Sequence, residues 1–227
     1  MQLSLLKRKR VFASGLCFYK LFWVYFIGSF IGVICETIYC LAVCGHFEIR
    51  WGVIYGPFNP VYGIGALMMT LVAYKVSHKR DLLIFLICMV LGGVCEYLCS
   101  FFQEKIYHTV SWDYSDTQFN FDGRTNVLYS FCWGILGIIW VKDICPRLSK
   151  LIEKLPLKTG KILSNILIVY LVLNILISGL ATWRQSQRFQ GKSAQTWIEM
   201  TLDKYYPDDF LKVFYPNTKM VENNHSK

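Results

Sequence analysis

Charge is scarce in this chain of 227 residues: 17% are Asp, Glu, Lys or Arg, against 54% hydrophobic and 16% aromatic. A composition this apolar, arranged in long unbroken runs, excludes a soluble domain. The nucleotide-cradling pattern G-x-x-x-x-G-K-[ST] is missing, and "KTGK" at 158–161 is too short to stand in for it. Metal-cluster spacing is missing too. The nine cysteines are odd in number and nearly all lie in or beside apolar runs, so they read as small apolar helix residues, not as a disulfide framework or a ligand set. No cofactor is implied. A small-residue cleavage site does not follow the basic start "KRKR", and the first apolar run is far longer than an h-region, so a cleavable signal peptide is not expected.

What is present is length enough for several crossings. A spanning helix needs about 20 mostly apolar residues, and about five stretches qualify: 17–44, 54–74, 82–103, 125–141 and 162–183. The expected fold class is an all-α polytopic membrane protein. Basic residues gather before span one (Lys7, Arg8, Lys9, Arg10, Lys20), between spans two and three (Lys75, Lys79, Arg80) and between spans four and five (Lys142, Arg147, Lys150, Lys154, Lys158, Lys161). The positive-inside rule makes these segments cytoplasmic, giving a basic N-terminus over 1–16 and a basic loop over 146–161. Loops 45–58 and 104–124 and the tail 184–227 then lie outside, in a multi-pass protein of the cell membrane. The net charge of +9 follows from this asymmetry and from anionic inner-leaflet lipid, so membrane lipids are expected as partners and nucleic acid is not. Trp23 on the inner side and Trp51, Trp112 and Trp183 on the outer side fit interfacial belts.

Two acids sit inside this apolar material. "GVICETIYC" (32–40) carries Glu36, and "GGVCEYLCS" (92–100) carries Glu96 in the same frame. The overlay pairs Gly32 with Gly92, Cys35 with Cys95 and Cys40 with Ser100, and "NPVY" (59–62) answers "NVLY" (126–129). Over 17–145, spans one and two therefore read as a helical hairpin repeated in parallel as spans three and four. Repeats of this kind place a shared site at their interface. Gly28, Gly32, Glu36 and Cys40 recur every four residues and share a face whose small residues allow close helix contact. Gly92, Glu96, Ser100 and Glu104 form its counterpart. An ionised carboxylate at a helix centre costs about 2.5–3.5 kcal/mol on insertion scales, so each glutamate needs a cation, a proton or water. Arg50 and Arg124 are the outer-loop arginines before the tail, and Glu–Arg pairing is expected, in cis or across the repeat.

The outer loops carry the remaining signal. "WGVIYGPFNPVYG" (51–63) interrupts span two with Gly56, Pro57 and Pro60. Irregular backbone survives at membrane depth only against protein or a water-filled cavity, so this segment is expected to dip inward and line a cavity, with Asn59 and Tyr62 along one face. "HTVSWDYSDTQFNFDGRTN" (108–126) carries Asp113, Asp116, Asn120 and Asp122. Its Asn120–Gly123 run looks like a calcium loop, but the place of the bidentate glutamate falls on Tyr129, and "DG" reads as a turn. The combination of "GPFNPVYG", a glutamate in spans one and three, and "WDYSDTQFNFDGR" resembles the ABC-transporter type IV, or CmpB-like, family of bacterial membrane permeases over roughly residues 18–145.

That resemblance implies a permease-like subunit with a path between the repeats, driven by a separate ATPase docked on the basic loop; because five spans are few for a full path, a homodimer or another partner is expected to complete it. The expected substrate-binding residues are Glu36, Glu96, Arg50, Arg124, Asn59, Tyr62, Asn126, Tyr129, Trp112, Asp113 and Asp116. A second reading is a membrane enzyme or lipid-handling protein, with Arg50 and Arg124 gripping the phosphate of an anionic head group, Glu36 or Glu96 as general base, and His46 and His108 assisting. In a third, the glutamates only lock the helices together. Beyond the repeat, Asn165 and Asn174 are expected on one side of span five, bonded to the bundle. In the tail, Ser193 is expected to cap a short helix and Pro207 to sit in the first turn of another, both lying on the outer surface or against the loops, with "NTKMVENNHSK" disordered.

Overall fold

The computed structural model describes residues 11–221; the basic cluster from Lys7 to Arg10 and the closing residues 222–227 lie outside the described residues. Helices dominate. α1 (Phe18–Cys44) and α3 (Asp81–Tyr107) have 27 residues each, about 40 Å at 1.5 Å per residue. They end on the left-handed residues Gly45 and His108, whose backbone N–H groups close the last turns. α2 (Pro60–Val76) has only 17 residues. α4 (Val127–Ile139) continues through a π-helical turn (Trp140–Ile144) into α5 (Cys145–Glu153), a 27-residue apolar unit. α6 (Leu157–Phe189) has 33 residues, and two short helices follow, α7 (Trp197–Tyr205) and α8 (Asp208–Phe214). Among the described residues the strands are two residues each: β1 (Thr109–Val110), β2 (Asn120–Phe121), β3 (Thr125–Asn126) and β4 (Lys219–Met220). Four helices are long and apolar enough to cross a membrane, with α2 as a shorter fifth. The fold is all-α and membrane-like.

Two span boundaries differ from expectation. The fourth span runs to Glu153 instead of ending at 141, because the chain absorbs Pro146 by widening its turn. Pro146 has no N–H to give, and the Cys145 N–H reaches back five residues to the Trp140 carbonyl. The basic segment 146–161 is therefore mostly helix. The second span starts at Pro60 instead of 54, and the residues before it form a re-entrant loop. There the Asn59 N–H bonds the Ser29 carbonyl at 3.2 Å, fifteen residues short of the end of α1, or about 22 Å at the helical rise. Val53 and Ile54 are buried. α6 satisfies the inserted backbone: Ser178 Oγ accepts from the Ile54 N–H at 2.9 Å, Asn174 Oδ1 from the Tyr55 N–H at 3.1 Å, and the Tyr55 carbonyl accepts from Tyr170 Oη at 2.7 Å and from Asn174 Nδ2. Asn165, by contrast, is exposed. Nine residues at 100° each amount to two and a half turns, so the two asparagines stand on opposite sides of α6.

α1 packs on α2, and α3 on α4. A Cβ on Gly28 would lie 2.4 Å from Ala66, and one on Gly32 would lie 2.3 Å from Tyr62; the glycine stripe is a contact face, as expected. In the second hairpin a Cβ on Gly92 would meet Trp133 at 2.3 Å. Trp133 follows Tyr129 by four residues as Ala66 follows Tyr62, so α4 is displaced against α3 by one turn relative to α2 against α1. At the far end of the bundle Lys20 is fully buried, its Nζ 2.7 Å from Glu153. There Trp140 also donates to Thr70 at 2.9 Å, and Phe12 packs on Gly160.

The tail folds back over the loop end. Thr196, not Ser193, caps α7, in a reciprocal box with Glu199. Pro207 occupies the capping position just before α8. Lys219 and Met220 pair with Val110 and Thr109, so this part of the expected disordered end is a strand. Arg184, at 1% exposure, donates twice to Asp203 at 2.8 Å, and Arg188 bridges Asp203 and Asp208. The Arg184 bonds hold the Asp203 carboxyl below its ordinary value.

Replacing Asn174 with Leu strands the Tyr55 N–H and leaves its carbonyl to Tyr170 alone; thermal unfolding in detergent should show a loss of about 1–3 kcal/mol, and an unchanged transition would contradict the re-entrant loop's dependence on this residue. The Asp203 contact carries a pH signature. A carboxyl with a depressed value contributes its full stability above the unfolded value of about 3.9 and loses it as pH falls through the lower folded value. Hydrogen exchange over 197–221 should be protected alike at pH 7 and pH 5 and rise only below about pH 4. Release of the tail above pH 5 would refute this anchor.

Candidate functional site

The re-entrant loop leaves a cavity of about 770 Å³ over the start of α2, walled by α3 and α6 and covered by residues 214–218 of the tail. Glu36, Arg50, Asn59, Tyr62, Glu96 and Trp112 all reach it. Each carries out a definable task. Tyr62, at the first turn of α2, donates its hydroxyl to Glu36 at 2.5 Å. Asn59 caps the same helix by accepting from the Val61 N–H at 3.0 Å, so the residue that starts α2 also fixes where Tyr62 points. Trp112 donates its indole N–H to the Arg124 carbonyl at 2.8 Å, which pins the 108–126 loop at the cavity mouth.

Glutamate–arginine pairing takes a different form from the one expected. Arg50 Nε is 3.9 Å from Glu36, while its Nη2 is 3.0 Å from Glu48. Arg124 does not reach Glu96. It pairs with Glu104 at 2.5 Å, donates to Ser100 Oγ at 3.3 Å and lies over the rings of Tyr97 and Phe101. Glu96, 8% exposed, instead accepts from Tyr114 Oη at 2.9 Å and Thr125 Oγ1 at 2.8 Å, with the Trp133 indole also beside it. The one-turn displacement of α4 explains this. Tyr129, aligned in sequence with Tyr62, is carried past its glutamate and stacks on Tyr114, ring centroids 4.7 Å apart, and Tyr114 supplies the hydroxyl in its place. Tyr62 and Tyr114 line the same cavity as the two glutamates, so both carboxylates with their tyrosines open into one chamber.

Several expected site residues lie outside the cavity lining. Asn126 caps α4 by accepting from the Tyr129 N–H at 2.8 Å and donates to Thr117. Asp113 accepts from the Ser115 N–H and hydroxyl, which hold its carboxyl below the usual range. Asp116 is exposed on the loop. Asp122 and Gly123 both have positive φ in the turn closed by the Arg124 N–H and the Phe121 carbonyl, so "DG" is the hairpin turn between β2 and β3. Among the described residues no group of three or more His, Cys, Asp and Glu side chains is arranged to hold a metal ion. Sequence reasoning overlooked Thr125, Trp133 and Glu48, and left Tyr114 as one letter of a motif. Trp133 was findable as the next residue on the Tyr129 face; Thr125 and Glu48 carried no periodic signal.

No curated protein and no solved structure matches the chain. The family described as "Putative ABC-transporter type IV" matches residues 23–179, more than half of the chain and a stretch that takes in both glutamates, the re-entrant loop and the 108–126 loop. A multi-pass helical protein with ionisable groups gathered in a cavity between its spans fits that description. The chain belongs to the ABC-transporter type IV family and is a transporter-related membrane protein.

Proposed function

We propose that the chain is the permease-like subunit of a transporter, and that its cavity is the outward-facing part of the path, formed between two copies of one helical hairpin. Glu36 and Glu96 are its substrate-binding groups. The observation that carries this reading is the re-entrant loop. It starts α2 partway along the bundle, and loop and helix end together line a cavity into which both carboxylates open; discontinuous helices of this kind form substrate sites in other transporters. Basic residues at the opposite end, including Lys79, Lys142 and Arg147, orient that end toward the cytoplasm, with the C-terminus outside. A separate ATPase docks there, and lipids or a second copy of the chain cover the apolar sides. Arg50 and Arg124 are each neutralised by a local acid, which weighs against their gripping a phosphate.

One observation favours a structural part for Glu96: it is the better buried of the two acids, and its bonds to Tyr114 and Thr125 tie the 108–126 loop to α3. Affinity purification of the tagged protein from its native membrane should retain a stoichiometric nucleotide-binding subunit. In that complex Glu36→Gln should lower transport-coupled ATPase activity about tenfold or more, the loss expected when a charged hydrogen-bonding group worth about 1.5–3 kcal/mol is removed, with an unchanged elution profile. A complex without any ATPase, or a Glu36→Gln/Glu96→Gln variant with full activity, would end the permease reading. Loss of folded protein in Glu96→Gln alone would assign Glu96 to structure and leave Glu36 as the binding group.

A further inference from the structure

The cavity lining divides into two chemistries. Around the glutamates it is acidic and aromatic, with the rings of Tyr62, Trp112, Tyr114 and Trp133 beside the carboxylates. Arg50 is the cation of this lining, and it is shared between Glu36 and Glu48. Glu96 has hydroxyl and indole donors but no cation among its partners. The lining thus sets two carboxylates, Glu36 and Glu96, against one guanidinium that Glu48 also engages, and the chamber is acidic in balance. Away from the glutamates the lining is aliphatic: Ile64 and Met68 from α2, and Leu91, Val94 and Leu98 from α3. Ile64 is 42% exposed, Val94 49% and Leu98 44%. Among the described residues this wall is left partly open.

A small hydrophilic solute would leave the wall against water, at a cost of about 25 cal/mol for each Å² of apolar surface. An anionic amphiphile would cover the wall but bring its charge against surplus carboxylates. A cation meets both carboxylates in a lining that also holds Tyr62, Tyr114 and Trp133, and carboxylate oxygens are the acceptors that hold ammonium groups most strongly. We propose that the cavity binds an amphiphilic amine, its ammonium group between Glu36 and Glu96 and its hydrocarbon chain along the α2–α3 wall. As a statement about cargo this rests on the cavity being the transport path. The volume of about 770 Å³ lies within the usual range of sites for small molecules of this size.

The test uses the full chain in phosphatidylcholine vesicles at neutral pH with a long-chain amine bearing a diazirine in its chain, and in parallel the fatty acid of the same chain. After irradiation the labelled peptides are mapped by mass spectrometry. The amine should label the peptides holding Ile64, Met68 and Leu91–Leu98, and the acid should label them about tenfold less. Glu36→Gln/Glu96→Gln should lose the amine labelling by a similar factor, while Glu36→Asp/Glu96→Asp, which keeps the charge, should retain it. Leu98→Trp keeps both carboxylates and fills the wall; its loss of labelling gives a check independent of the glutamate variants. Equal labelling by amine and acid, or amine labelling indifferent to both the Gln pair and Leu98→Trp, would overturn the proposal. The vesicles contain no ATPase, so the two readings fail separately. A labelled wall in a protein without an ATPase partner upholds the amine site and removes the permease reading. An ATPase complex whose wall takes no amine does the reverse.

Discussion

The peptide at Tyr55 holds the loop end of the bundle together. Its N–H and carbonyl sit among apolar helices, where unmatched backbone groups cost several kcal/mol each by the reckoning that confines irregular backbone to covered positions. Asn174 and Tyr170 project from one side of α6 and complete these groups, and Ser178 on the same side accepts from the neighbouring Ile54 N–H. Because they do, the 52–59 segment can enter the bundle, α2 can begin partway along it, and Tyr62 arrives beneath Glu36. Without α6 the Ile54 and Tyr55 backbone groups lose their partners, so the helix that follows the first four spans is what permits their most irregular part.

Charges follow the same economy of local matching. Each loop arginine is answered by an acid at the same end of the bundle: Arg50 by Glu48, Arg124 by Glu104 at the end of α3. The two glutamates deeper in the spans are then left to hydroxyl donors, with Arg50 at the edge of contact. The tail adds a cover whose anchors, Arg184 with Asp203 and β4 with β1, lie outside the cavity lining.

Much of this was legible in the sequence. Apolar length alone located α1, α3 and α6, the Gly28–Gly32–Glu36 spacing predicted the packed face, and the Gly–Pro run predicted the inward loop. The miss at Tyr129 depends on how far one helix slides along another, which side-chain periodicity does not encode. Tyr129 aligns with Tyr62 in letters, yet the bulk of Trp133 against Gly92 sets a different register, and Tyr114 comes from the loop to fill the gap. Pro146 was a visible helix breaker, but whether a chain ends or widens at a proline depends on the packing around it, here the buried Trp140 and Val141. The Asn165 expectation failed on geometry that the sequence did contain.

The displaced register makes the two halves of the site mechanically unequal. The hydroxyl on Glu36 belongs to a helix clamped by glycines against α1; the hydroxyl on Glu96 belongs to a hairpin loop steadied from outside by β4. Two carboxylates that look interchangeable in the sequence therefore rest on unlike supports: Glu36 on a residue of a packed helix, and Glu96 on Tyr114 and Thr125 at the two ends of a loop, so a change in that loop reaches one acid and not the other.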